Sequence, residues 1–173
     1  MSHAAQLNWF EKIRRINPIW FTHVHVLEIG SLNINGTIRG LYDNPITYIG
    51  VDVGPGPGVD LVADGSTLDY PDNSFDVTVS AECFEHNPEW VATFANMHRM
   101  AKTAVLMTCA SEGRTEHGTS RNDPASSPHT GDYYRNLTQA DFEHEFDLDS
   151  MFSEYKFEYN PRACDLYFYG IKR

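Results

Sequence analysis

His23-Val24-His25-Val26-Leu27-Glu28-Ile29-Gly30 is a β-branched, apolar run that stops at a glycine. Its composition and abrupt end predict a strand over about 24–29, with an acid and a glycine at its carboxyl end. Upstream, Leu7, Phe10, Ile13 and Ile16 recur three apart with Lys12, Arg14 and Arg15 between them. That spacing suits a short amphipathic helix, which Asn17-Pro18 ends. Downstream, Asn35-Gly36 marks a turn, and 37–42 is read as a short helix. Thr47-Tyr48-Ile49-Gly50-Val51-Asp52 reads as a second strand, and Val59 to Ala63 as a short third one. Between them Gly54-Pro55-Gly56-Pro57-Gly58 forbids a helix. After the turn Tyr70-Pro71-Asp72-Asn73-Ser74, the segment 75–80 is a fourth strand.

The next segment reads as a helix, with Asn87 as cap, Pro88 at its first position and Glu89 at the positive end of its dipole. Val91, Phe94, Ala95, Met97 and Ala101 form its expected apolar face. A fifth strand follows over 103–109. Residues 110–137 have no periodicity and are rich in Gly, Ser, Pro, Asn and His, which in a compact domain marks a functional lid or disorder. Thr138-x-x-Asp141 resembles a capping box and opens a helix to about Phe152. The segments 155–159 and 165–171 then form an antiparallel hairpin at a sheet edge. Strands alternating with helices, closed by a hairpin, predict an α/β, Rossmann-like three-layer sandwich with a mostly parallel sheet. Little room remains for helices after the second and third strands. One sheet face is therefore expected to be thinly covered, which favours a homo-oligomer.

The chain of 173 residues suits one domain over 1–173, with its N-terminal helix in 1–22 and a lid loop over 110–137. Hydrophobic residues at 41% and charged ones at 21% exclude a disordered chain. The net charge of −11 repels phosphate backbones and anionic lipid, so neither nucleic acid nor membrane is an expected partner. No apolar run reaches membrane-spanning length, and the N-terminus has no signal pattern. Cys83, Cys109 and Cys164 are far apart and odd in number, which fits a reducing cytoplasm rather than a disulfide framework or cysteine zinc site.

Ligands of parallel α/β sheets bind outside the carboxyl ends of the strands. Here those ends carry Glu28 and Gly30, then Asp52, then Asp64-Gly65, then Ser80-Ala81-Glu82-Cys83-Phe84-Glu85-His86. Gly30 lets backbone approach a ligand closely. Asp52 can accept both protons of a ribose diol. Asp64 can accept from the exocyclic amine of adenine, with the Gly65 amide near the ring, and Glu28 can accept from an ammonium or orient the loop. Each acid alone is commonly a cap or a solvated loop residue; together they point to a nucleoside site.

Val26-Leu27-Glu28-Ile29-Gly30, Tyr48-Ile49-Gly50-Val51-Asp52, Leu61-Val62-Ala63-Asp64-Gly65 and Phe75 to His86 resemble, in order and spacing, the motifs of class I S-adenosylmethionine-dependent methyltransferases of the type 11 kind. The resemblance implies a seven-stranded sheet with a reversed last hairpin, S-adenosyl-L-methionine as cofactor, and methyl transfer to an unidentified, small-molecule acceptor. It assigns cofactor binding to Glu28, Gly30, Ser31, Asn33, Asp52, Val53, Asp64, Gly65 and Ser80. His86 is the first candidate for a catalytic base, because an imidazole titrates near neutrality, and Glu82 and Glu85 follow. The structural alternative for His86 is packing beside the helix start. One departure stands out: Leu32 and Ile34 occupy positions where the family's loop has glycines. That leaves a degenerate, non-catalytic cofactor-binding module as an alternative. A nicotinamide-dependent oxidoreductase is a weaker one, since Gly30 is followed only by Gly36 and Gly40 and the Gly-x-Gly-x-x-Gly fingerprint is missing. Asn87-Pro88-Glu89-Trp90 lacks the second proline of the DNA amino-methyltransferase motif. No metal is expected: His117 and His129 lack helical ligand spacing and a nearby cysteine, so they read as surface or substrate-contacting residues. Arg114, Arg121, Tyr133, Tyr134 and Arg135 share the lid with them.

Overall fold

Seven strands form one sheet in the computed structural model, which describes residues 4–173. They are β1 (His25–Ile29), β2 (Thr47–Asp52), β3 (Leu61–Val62), β4 (Phe75–Ala81), β5 (Ala101–Ala110), β6 (Phe152–Asn160) and β7 (Asp165–Lys172). Their spatial order is β3-β2-β1-β4-β5-β7-β6. The first five run parallel, and β7 lies antiparallel to both β5 and β6. From β1 the chain steps outward to β2 and β3, then returns to the other side as β4. The switch point thus lies between β1 and β4, where loops diverge and leave a crevice at the carboxyl ends. Register sets Ile29 level with Val51 on one side and Ser80 on the other.

Period-two alternation sends successive side chains to opposite faces. Leu27, Ile29, Val105 and Met107 join one core with Phe94 and Met97 of α2 (Trp90–Met100) and Phe142 of α3 (Gln139–Glu145). Val26, Val77, Val79, Ala104 and Leu106 join the other with Trp9, Phe10 and Ile13 of α1 (Ala4–Ile16). The result is the expected three-layer α/β sandwich with a mostly parallel sheet and a C-terminal antiparallel hairpin.

Local departures have local causes. The helix expected over 37–42 is one 3-10 turn, Arg39–Leu41, in a stretch that contains Gly36 and Gly40. β3 keeps two residues, because only Val51↔Leu61 and Asp52↔Val62 pair before the chain turns away. α2 starts at Trp90, and Asn87 is not its cap. Its Oδ1 instead accepts from the Glu89 N–H at 2.8 Å, while its Nδ2 donates to Thr93 Oγ1 at 2.8 Å, forming an Asx turn ahead of the helix. Ala95, assigned to the apolar face, is exposed; Thr93 and Asn96 are buried instead. The capping box at Thr138 and Asp141 is present. The helix it opens breaks at Phe146–Asp147, and Asp147 caps a separate turn, α4 (Leu148–Met151). Among the described residues no α-helix follows β2 or β3, and Val53 and Val62 stay exposed there. No helix of the described residues is long and apolar enough to cross a membrane.

Candidate active site

A cavity of about 260 Å³ opens at the carboxyl ends of β1, β2 and β4. Glu28, Gly30, Ser31, Asp52, Val53, Asp64 and Gly65 line it, as do Glu82 and His86. Three sequence-derived candidates do not line it. Asn33 is turned to its own loop, where its Oδ1 accepts from the Gly36 N–H at 2.9 Å. Ser80 is fully buried within β4, and Glu85 is fully buried behind His86.

Gly30 occupies the left-handed region at φ +80°, and a Cβ there would lie 2.4 Å from Cys83 Cβ. Only glycine fits both the turn and the close approach of the β4 loop. Leu32 and Ile34 do not open the loop as glycines would, but the facing run supplies the missing room. Leu32 Cδ1 sits 2.3 Å from where a Cβ of Gly56 would stand, and the Ser31 carbonyl 2.6 Å from that of Gly58. The Asn33 N–H donates to the Pro57 carbonyl at 2.8 Å. The Gly-Pro run thus braces the loop after β1, a role its sequence did not announce. Asp52 joins in: its Oδ2 accepts from the Leu32 N–H at 3.1 Å and its Oδ1 more weakly from the Gly54 N–H at 3.4 Å.

The acids differ in environment. Glu28 accepts from the Tyr48 hydroxyl at 2.8 Å, and Arg39 stacks over the Tyr48 ring at 4.5 Å. Burial dominates, pushing the Glu28 carboxyl up to about 7, against the Tyr48 hydrogen bond and the Arg39 charge. Asp64 uses Oδ1 for the Ser66 N–H and hydroxyl at 2.8 and 2.7 Å, leaving its other oxygen out of that turn. A Cβ on Gly65 would stand 2.7 Å from Ile29 Cγ2.

Beyond β4, Glu82 turns the chain with φ 55°, a strained conformation for a side-chain-bearing residue. Burial and then the Glu85 charge hold its carboxyl well above the usual range. His86 closes the following 3-10 turn, Phe84–His86. Burial pushes its imidazole down to about 4, against the attraction of Glu85, so the ring is neutral at physiological pH.

The segment 110–137 contains one 3-10 turn, Pro124–Ser126, and a bridge between Thr119 and Asn122. Ser126, Ser127, Pro128, His129 and Thr130 complete the cavity wall. His129 lies over Gly54, with Nε2 3.2 Å from the Pro55 carbonyl, so this segment reaches the loop after β2. The sequence placed a lid here but could not say which of its residues cover the cavity. His117 approaches Glu85 and His86 from the same segment, and no spacing signal links residues so far apart.

The residues fit an adenosyl cofactor: a cradle with no space for a Cβ at Gly30, a buried Ser31 hydroxyl without a partner, and carboxylates at the ends of β2 and β3. Residues 38–108 match the type 11 methyltransferase domain, a span that contains Asp52, Asp64 and His86. No curated protein sequence matches the chain. Among solved structures, it is similar to the 1,6-didemethyltoxoflavin-N1-methyltransferase of Burkholderia thailandensis, crystallised with 1,6-didemethyltoxoflavin and S-adenosylhomocysteine. The two share 16% identity and a TM-score of 0.65 over 97% of this chain and 78% of that one. It is also similar to the magnesium protoporphyrin IX methyltransferase of Synechocystis PCC 6803, crystallised with S-adenosylmethionine (9%, 0.64, 96% and 79%). A third likeness is to the YcgJ protein of Bacillus subtilis (14%, 0.64, 99% of both chains). At these identities the structures attest a common fold, and the domain match implies S-adenosylmethionine as cofactor. The chain thus has the fold of class I S-adenosylmethionine-dependent methyltransferases, and its residues 38–108 match a methyltransferase domain.

Proposed function

We propose that the cavity binds S-adenosylmethionine along its Gly30–Asp64 wall and that the chain methylates a small-molecule acceptor admitted beneath the 110–137 segment. One observation carries this reading: a single cavity is walled by Gly30, Asp52 and Asp64 and also by His86 and Ser126–Thr130. In this assignment Asp52 accepts from the ribose hydroxyls. The Gly30–Ser31 backbone and Glu28 serve the amino-acid end, and Asp64 with Gly65 serves the adenine. Glu28 stands where a cationic ligand would favour its ionised form.

When bound, the cofactor would supply an activated methyl group for transfer to a lone pair of the acceptor. The chain's own share is alignment and exclusion of water. The lid segment covers the cavity, Ser31 and the Gly56–Gly58 run fix the loop, and His86 presents a neutral ring to the cavity. Glu82 is buried beside it, its carboxyl raised above the usual range by burial and then by the Glu85 charge.

The net charge of −11 supports a small molecule over nucleic acid as acceptor. The small-molecule acceptor of the Burkholderia enzyme supports the same class by analogy. The test is thermal shift with S-adenosylhomocysteine, S-adenosylmethionine and NAD, followed by transfer of a labelled methyl group across a panel of small acceptors. Stabilisation by the first two and turnover on a panel member are expected. Stabilisation without turnover on any small, peptide or nucleic-acid acceptor would mark a binding module, and turnover confined to a macromolecule would refute the acceptor class.

A further inference from the structure

We propose that Glu85, His86 and His117 form a binding site for one divalent transition-metal ion, of the class that takes imidazole and carboxylate ligands, beside the cofactor cavity. Glu85 and His86 lie in the turn that follows β4, and His117 lies on the lid segment. Glu85 Oε1 is 4.0 Å from His86 Nε2 and 4.0 Å from His117 Nε2. One ligand atom from each residue lies within 4.8 Å of the others.

Their burial makes the arrangement unusual. The side chains of Glu85, His86 and His117 are 0%, 3% and 12% exposed. Both carboxylate oxygens of Glu85, both ring nitrogens of His86 and Nε2 of His117 have no hydrogen-bond partner. Buried polar atoms are ordinarily satisfied, and leaving one unpaired is costly, most of all for a charged group. Three of these atoms, one from each residue, converge on one point and call for an occupant with positive charge that can accept several lone pairs.

The imidazole geometry agrees. His117 Nδ1 lies 3.0 Å from the Thr115 carbonyl, which can only accept. Nδ1 must therefore carry the proton, and Nε2 is left with the lone pair facing Glu85 and His86. A hydrogen-bond acceptor behind the far nitrogen fixes the tautomer and so prepares a histidine as a ligand. The two rings pack edge to face at 4.9 Å, and Tyr134 walls them at 5.5 and 5.0 Å. Ligands about 2.1 Å from a tetrahedral ion stand about 3.4 Å apart, so closure asks the two 4.0 Å contacts to contract by about 0.6 Å and no pair by more than about 1.4 Å. Two nitrogens and one oxygen suit zinc, cobalt or iron(II) better than magnesium or calcium.

Three protein ligands leave a coordination position open. His86 lines the cavity, so on the proposed reading of that cavity the open position would take an oxygen, from water or from an oxygen-bearing acceptor. The ion would also fasten the lid segment to the end of β4. The site itself stands without that reading.

The test uses the full chain stripped of metal and titrated with Co²⁺, followed by visible absorption, then by Zn²⁺ displacement in calorimetry. One equivalent is expected to bind without S-adenosylmethionine, to be displaced by Zn²⁺, and to persist in millimolar Mg²⁺. His117→Ala should weaken it by about 100-fold or more, and Glu85→Gln likewise, whereas exposed His144→Ala should leave it unchanged. Because Glu85 is fully buried, His117→Ala is the primary variant, and its far-UV dichroism checks the fold. No bound equivalent, or one that survives His117→Ala undiminished, overturns the proposal. Thermal shift with S-adenosylhomocysteine reports separately on the cofactor reading, so the two can fail independently.

Discussion

Removing the Asp52 carboxylate tests the cofactor assignment most directly. The group lines the cavity at the end of β2, half-buried, and already accepts from the Leu32 N–H at 3.1 Å. A carboxylate oxygen has lone pairs to spare, so that contact leaves capacity for two ribose hydroxyls. Hydrogen bonds to a charged group contribute about 1.5–3 kcal/mol each, and the exchange with water at a half-buried site brings the pair to about 2–3 kcal/mol in total. Asp52→Ala should therefore weaken S-adenosylhomocysteine by about 30- to 150-fold, at 1.4 kcal/mol per tenfold. Asp52→Asn keeps an acceptor for the Leu32 N–H but loses the charge and one acceptor, so roughly tenfold is expected. Without ligand, the alanine variant should lose only about 1 kcal/mol of stability, from the Leu32 N–H left without its partner. Calorimetry on the three proteins gives the affinities, and urea unfolding gives the stabilities. Affinity within threefold of wild type in a folded Asp52→Ala protein would falsify the ribose assignment.

Gly30→Ala must adopt φ +80° and drive a methyl group to 2.4 Å from Cys83 Cβ, so a loss of at least about 2 kcal/mol in urea unfolding is expected, together with loss of cofactor binding. Glu28 gives a pH signature: with its carboxyl raised from 4.5 to about 7, the folded chain holds a proton that the unfolded chain releases. Stability from this group is therefore present below about pH 4.5 and lost as pH rises through 7. Relative to Glu28→Gln, the wild type should lose about 2.5 kcal/mol between pH 5 and 8, and a pH-independent difference would contradict the burial argument. The lid should show fast amide exchange over 126–130 that slows with S-adenosylhomocysteine. Gly54→Ala, whose new methyl group would meet the His129 ring at 2.1 Å, should speed that exchange with little change in melting temperature; slow exchange in both proteins would rule out a mobile cover.

The strands and the chemistry-bearing residues at their ends are legible from local sequence. Period-two apolar runs ending in Gly30, Asp52 and Asp64 are local signals, because a strand's side-chain direction and its terminus are decided within a few residues. The same locality made the Thr138–Asp141 capping box legible, as a four-residue hydrogen-bond pattern. What depends on distant backbones meeting emerges with the fold. Leu32 and Ile34 look like defects in a glycine loop until Gly56 and Gly58 are seen packed against it. Helix starts and breaks moved because Asn87 found Thr93, and Asp147 the Ser150 N–H, and these short-range competitions leave hydrophobic periodicity unchanged. The cover at Ser126–Thr130 and the meeting of His117 with Glu85 come from an aperiodic segment whose path is set by closure over the sheet. No spacing rule reaches across such a loop, so the sequence names its histidines while only the fold brings one of them beside the buried acid.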